Sequence, residues 1–209
     1  MGEKKRILCY GDSNTYGYDP RSAMGDRYPK NVRWTGILAE RTGADVRNHG
    51  VNGRCIPHTS SQLRFACEQM EAWGAEAEAK GKSVSPAQMW IMLGTNDLLQ
   101  ENTFKAEQVA DRMEKFLETL LELPAVSDEK IKLFLIAPPQ MEYGAWVDEE
   151  RVYRESRRLG DAYQRVAKRR NLPFADAGKW EIPVVFDGVH FSEQGHENFA
   201  ERMLDLGWI

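Results

Sequence analysis

Apolar residues recur along this chain in two rhythms. Short β-rich runs at Ile7 to Tyr10, Ala44 to Asn48, Met89 to Leu93, Ile131 to Ala137 and Leu172 to Asp176 each stop at Gly, Pro or polar residues, and predict five strands. Between them apolar positions fall at helical spacing: Ala106, Val109, Met113, Phe116, Leu117 and Leu120 in one segment, Val152, Leu159, Tyr163 and Val166 in another. Helical pattern also covers Trp34 to Arg41, Ser61 to Lys80 and Glu193 to Leu206, the last N-capped by Ser192. The order β-α-β-α-β-α-β-α-β-α predicts a parallel sheet covered on both faces. Right-handed crossovers then favour an α/β, flavodoxin-like three-layer sandwich with a five-stranded parallel sheet. Ligands of such sheets bind beyond the carboxyl ends of the strands, so the residues just after each strand matter most. The segments Tyr16 to Asn31 and Gln140 to Val147 read as irregular loops beside that edge.

Composition narrows the function classes. The 209 residues contain no internal repeat or linker and are read as one domain over 1–209. No apolar run approaches the roughly 20 residues of a membrane span. The N-terminal Met1 to Arg6 leads into only the short run Ile7 to Tyr10, too short for a secretory signal, and Arg6 stands where a myristoylation site has Ser or Thr. A cytoplasmic location is expected. Cys9, Cys55 and Cys67 lack C-x-x-C spacing and are odd in number, which fits free thiols in a reducing compartment. A net charge of -4 argues against nucleic acid as the main partner. The cluster Arg165, Lys168, Arg169 and Arg170 reads as cations at a helix C-terminus, with Asp148, Glu149 and Glu150 at its other end.

The strand ends carry the chemistry. Gly11-Asp12-Ser13-Asn14 follows the first, Asn48 to Gly53 the second, and Gly94-Thr95-Asn96-Asp97 the third. A hydroxyl, a glycine-rich turn with free N–H groups and an asparagine amide are what acyl transfer needs: a nucleophile plus donors aimed at a developing oxyanion. A serine cannot attack an ester at neutral pH unaided. The base is expected in Asp187-Gly188-Val189-His190, where the i, i+3 spacing puts both side chains on one side of a turn and lets the carboxylate orient the imidazole. Each motif alone is a common turn. Their conjunction, in the order Ser, Asp, His, is what points to a site.

These four segments resemble, in order and spacing, the sequence blocks of the SGNH (GDSL-type) hydrolases, and the likeness spans nearly the whole chain. Val32-Arg33-Trp34-Thr35-Gly36 and Ile91 to Asp97 are similar to the bacterial arylesterases and acetyl esterases with acyltransferase activity. The resemblance implies a serine esterase with Ser13 as nucleophile, His190 as base and Asp187 as its partner. It also implies an oxyanion hole built from the Ser13 N–H, the Gly53 N–H and the Asn96 amide, and it favours a homo-oligomer. Two departures stand out: Asn14 replaces the Leu of the name-giving motif, at the pocket wall beside the nucleophile, and Cys55 replaces Thr or Ser.

Other residues have two readings each. Arg33 and Trp34 are either at the substrate entrance or at a helix start anchored by an indole in the core. Met141, Tyr143 and Trp146 are either a lid over the acyl pocket or a subunit contact. Tyr16 and Tyr18 crowd the nucleophile, so the expected substrates are short acyl esters, such as acetyl esters of aryl, alkyl or carbohydrate alcohols. Asn14, Tyr18, Trp34 and Trp146 are thus the candidate substrate contacts. His49, His58 and His196 are expected in structural or surface roles, Asp12 as a turn residue and Asp97 at a helix start. No H-E-x-x-H or comparable spacing occurs, so no metal or cofactor is expected. A nucleotide-binding module on the same fold would want G-x-G-x-x-G or G-x-x-x-x-G-K-[ST], and the chain has neither. A non-catalytic ligand-binding relative would release no burst of a chromogenic leaving group, and a thioesterase or lysophospholipase would prefer long chains.

Overall fold

The computed structural model describes residues 4–22, 24–78 and 86–209. Five strands, β1 (Arg6–Gly11), β2 (Asp45–Gly50), β3 (Ala87–Met92), β4 (Ile131–Ala137) and β5 (Phe174–Asp176), pair in parallel in the order β2-β1-β3-β4-β5. The expected flavodoxin-like three-layer sandwich is what forms. Among the described residues eight α-helices accompany the strands: α1 (Ser13–Tyr16), α2 (Trp34–Thr42), α3 (Ser60–Glu78), α4 (Thr95–Gln100), α5 (Ala106–Leu121), α6 (Pro124–Ser127), α7 (Glu150–Arg170) and α8 (Glu193–Asp205). None of the described helices is long and apolar enough to cross a membrane.

The period of two along each strand sorts the core into two layers. Leu8, Tyr10, Met89, Ile91, Leu133 and Leu135 face the layer that holds the buried residues of α5 and α7. Ile7, Cys9, Trp90, Met92, Phe134 and Ile136 face the other way, against Trp34, Ile37 and Leu38 of α2 and Phe199, Ala200 and Met203 of α8. Central strands buried on both faces read as continuous apolar runs for this reason. Helix α5 lies over the sheet on its periodic stripe, with Phe116 fully buried and its ring 6.1 Å from that of Tyr10. Its first turn is closed by the Gln108 side chain, which accepts from Lys105 N–H, and by Glu155 of α7, which accepts from Ala106 N–H. The basic end of α7 does sit in its last turn, and Arg169 and Arg170 also pair with Glu114 of α5.

The departures from expectation have local causes. Strand β5 begins two residues later than the apolar run suggests, because Asn171 turns left-handed at φ 51° and Leu172 N–H still caps α7 through Ala167 O. Strand β2 runs on to Gly50, whose ladder partner is Gly11. Helix α3 begins at Ser60, and the expected end at Lys80 lies outside the described residues. The short helix α1 follows β1 where a turn was expected, and α4 follows β3, with Asp97 in its first turn as expected. Since β1 is flanked by β2 and β3, the order of connection reverses there, and the crevice at the carboxyl ends of β1 and β3 is the switch point of the sheet.

Candidate active site

Ser13 is the first residue of α1, and Asp12 caps that helix by accepting from Asn14 N–H. An N-terminal N–H of a helix has no intrahelical partner, so the Ser13 amide is available to a ligand. The Asp187 to His190 turn supplies the opposite wall. Asp187 Oδ1 accepts from both Val189 N–H and His190 N–H, at 2.8 and 2.9 Å. Gly188 makes the turn possible with φ +80°, and a Cβ there would meet Glu142 O at 2.0 Å. With Oδ1 so occupied, Oδ2 is left for the ring and lies 2.7 Å from His190 Nδ1. His190 Nε2 in turn lies 2.9 Å from Ser13 Oγ. All three side chains are nearly enclosed, Asp187 completely. Burial pushes the Asp187 carboxyl up, but the bonds from the His190 ring, His190 N–H and Val189 N–H outweigh it and hold the acid below the ordinary carboxylate range.

Facing this line is the loop after β2. Gly53 sits at φ +71°, and the short α4 grips the loop around it. Asn96 Nδ2 donates to Arg54 O at 3.2 Å, Asp97 accepts from Ile56 N–H at 3.0 Å, and Gln100 donates to Gly53 O at 3.3 Å. Asp97 is fully buried and paired with Arg112 of α5 at 2.8 Å, so it does more than start a helix. The Asn96 amide has a second N–H beyond the one given to Arg54.

Ser13, His190, Gly53 and Asn96 line one cavity of about 520 Å³ together with Tyr18, Asn52, Leu99, Gln100 and Trp146. Tyr18 and Trp146 stand edge-on to the His190 ring from two directions, each with centroids 4.9 Å away. The 140–147 loop reaches this position because Ala145 N–H and Trp146 N–H donate to Phe186 O and Asp187 O. Leu99 and Gln100 went unnoticed in the sequence, and Asn52 was read only as part of the Asn48 to Gly53 turn. Leu99 and Gln100 were recoverable, since they stand three and four residues beyond Asn96 and share its helix face.

Two expected wall residues are elsewhere. Asn14 is buried, and its amide is engaged with the backbone of Val189 and Phe191 rather than with the cavity. Trp34 is 1% exposed, packs 4.9 Å from Phe199 and donates from Nε1 to Asn14 O, so the core-anchor reading holds and the entrance reading does not. Met141 is buried, while Tyr143 stacks on Tyr153 at 4.2 Å. Among the other histidines, His58 is exposed, His49 packs against Trp73 with the rings tilted by 40° and His196 is buried beside Tyr28 and Phe191. Burial holds His196 down to about 3 and therefore neutral.

Asp12 gives a test of the electrostatics next to Ser13. Burial pushes its carboxyl up to about 6, against the pull of Asn14 N–H, His190 and Arg54. A raised acid binds its proton more tightly when folded, so its contribution to stability is present below the unfolded value and lost as pH rises through about 6. The linked loss between pH 4 and 7 is on the order of 3 kcal/mol. Asp12→Asn keeps the capping oxygen and removes the titration. Urea midpoints of the two proteins should therefore diverge in favour of the variant between pH 4 and 7, and parallel curves would contradict the buried-acid account.

Comparison with known proteins bears on the family and the fold. The model of the GDSL-like lipase/acylhydrolase family matches residues 9–197. The aryl esterase of M. smegmatis superposes with a TM-score of 0.76 at 26% identity, over 97% of this chain and 99% of that one. A carbohydrate acetylesterase from Sinorhizobium meliloti, 24% identical with a TM-score of 0.76 over 98% of both chains, shares the fold. So does a G-D-S-L family lipolytic protein from Veillonella parvula, at 21% identity and a TM-score of 0.67 over 97% of both. No curated protein sequence matches the chain.

Proposed function

The chain belongs to the GDSL-like lipase/acylhydrolase family and is a serine hydrolase of small carboxylic esters, and we propose that it works through an acyl-enzyme on Ser13. The observation that carries this reading is the continuous line from Asp187 Oδ2 through His190 to Ser13 Oγ, with spacings of 2.7 and 2.9 Å, ending in the cavity. Ser13 Oγ attacks the ester carbonyl as its proton passes to His190 Nε2. The carbonyl oxygen becomes an oxyanion held by Ser13 N–H, Gly53 N–H and the Asn96 amide. Collapse expels the alcohol, which takes the proton from His190. Water, or a second alcohol, then attacks the acyl-enzyme with His190 again taking the proton, and Ser13 is regenerated as an acid or a new ester leaves. Asp187 keeps the imidazole in the tautomer with the proton on Nδ1.

We assign short acyl groups to the cavity, acetyl above all, on aryl, alkyl or carbohydrate alcohols. Tyr18 and Trp146 support this, since their rings stand against His190 and narrow the space beside the nucleophile. Each methylene that fits gains about 1 kcal/mol, and one that meets the wall loses that gain and adds strain. A series of p-nitrophenyl esters should show kcat/KM peaking between acetyl and butyryl, with Trp146→Ala moving the peak to longer chains. A maximum at octanoyl would move a thioesterase or lysophospholipase role ahead. The same reading treats residues 1–209 as one catalytic unit in a reducing cytoplasm, a setting that the free thiols of Cys9, Cys55 and Cys67 suit. Exposed Tyr143, Trp146 and Phe186, on loops pinned to one another, support a homo-oligomer through that edge.

A further inference from the structure

Asn14 replaces the leucine of the name-giving motif and takes no part in the chemistry above, yet its side chain touches the segment that carries His190 on both sides. Its Nδ2 donates to Val189 O at 3.0 Å, and its Oδ1 accepts from Phe191 N–H at 3.0 Å. These partners lie 175 and 177 residues away in the chain and flank His190, while Asn14 itself follows Ser13. We infer that Asn14 is the positioning residue that holds the His190 segment in register with the nucleophile, so that Nε2 stands within reach of Ser13 Oγ. The inference rests on the reading of Ser13 and His190 as nucleophile and base.

Only a primary amide satisfies both contacts. Turning it over would set oxygen against the Val189 carbonyl and N–H against N–H, so the arrangement has a single orientation. A carboxylate would repel Val189 O, and a leucine would leave a buried donor and a buried acceptor unmade. The asparagine is itself held in place. Its N–H donates to Asp12, and its carbonyl accepts from Trp34 Nε1 at 3.1 Å. Trp34 N–H reaches on to His196 Nδ1 at 3.4 Å, in the helix that follows the His190 segment. Tyr28 Oη adds a donor to Phe191 O at 3.3 Å. Helices α1 and α2 and the His190 segment thus meet at one asparagine, placed behind the cavity rather than in it.

Because Asn14 does not line the cavity, its loss should act on turnover and not on substrate affinity. Misplacing a reacting group by about 1 Å costs roughly 10²-fold. Asn14→Asp, nearly isosteric and able to keep the Phe191 contact, should lower kcat about 10- to 100-fold with KM within about twofold of wild type. The rate of Ser13 labelling by a phosphonate should fall by the same factor. Asn14→Leu should fall at least as far, and if it does not fold, Asn14→Asp carries the test. The decisive arm is His190→Ala, in which there is no imidazole to place. There the further change Asn14→Asp should cost less than about twofold, the non-additivity expected of residues that act as a unit. Equal losses in both backgrounds, or a rise in KM at unchanged kcat, would overturn the inference in favour of a merely structural or substrate-wall role. Absence of Ser13 labelling in the wild type would instead overturn the acyl-enzyme reading on which it rests.

Discussion

Replacing Ser13 by alanine is expected to lower kcat for a p-nitrophenyl ester by about 10⁶-fold, the scale on which serine hydrolases lose activity with their nucleophile. The argument is geometric. Ser13 Oγ is the hydroxyl in the cavity that stands 2.9 Å from an imidazole nitrogen, and that imidazole is backed by a buried carboxylate. Without it no acyl-enzyme can form, so the burst of nitrophenol and the phosphonate adduct should both vanish. A residual rate of roughly 10³ to 10⁴ over water should persist, because the Ser13 N–H, Gly53 N–H and Asn96 donors remain to bind the oxyanion of a direct water attack. Folding should be little affected. Ser13 gives up one small hydroxyl at the edge of a cavity, worth about 1 kcal/mol at most. Near-normal turnover in Ser13→Ala would remove the residue from the mechanism.

Asp187→Asn should cost about 10⁴-fold in kcat with the fold preserved, and the structure says why the amide cannot adapt. Two backbone donors, Val189 N–H and His190 N–H, converge on Oδ1. An asparagine must present its oxygen to them, which turns its NH₂ group toward His190 Nδ1. That nitrogen must then accept, so the proton moves to Nε2, where it faces Ser13 and blocks proton uptake from the hydroxyl. The native carboxylate avoids this by remaining ionised, since hydrogen bonds hold it below the ordinary carboxylate range despite burial. Steady-state kinetics on the variant decides the matter. A loss under tenfold would mean that His190 finds its tautomer without Asp187.

How much of this was legible in the sequence depended on whether a pattern is local. The α/β class and the five strands follow from rhythms of two and 3.6, which are properties of short segments, and the handedness of crossovers adds the flavodoxin-like sandwich. The Asp187 to His190 turn is likewise local, since an i, i+3 spacing around a glycine with φ +80° builds itself. The late start of β5 escaped because the left-handed Asn171 and the cap on α7 compete with an apolar run for the same residues. What only the tertiary structure decided is what faces the cavity. Asn14 and Trp34 stand next to motif residues in the chain, yet α1 turns the asparagine toward a segment 175 residues away, and the indole falls into the α2 and α8 layer. Asn52, Leu99 and Gln100 reach the cavity through the grip of α4 on the Gly53 loop. Adjacency in sequence fixes which turn a residue belongs to. The direction of its side chain is set by partners as far as 177 residues away, and only packing brings those partners together.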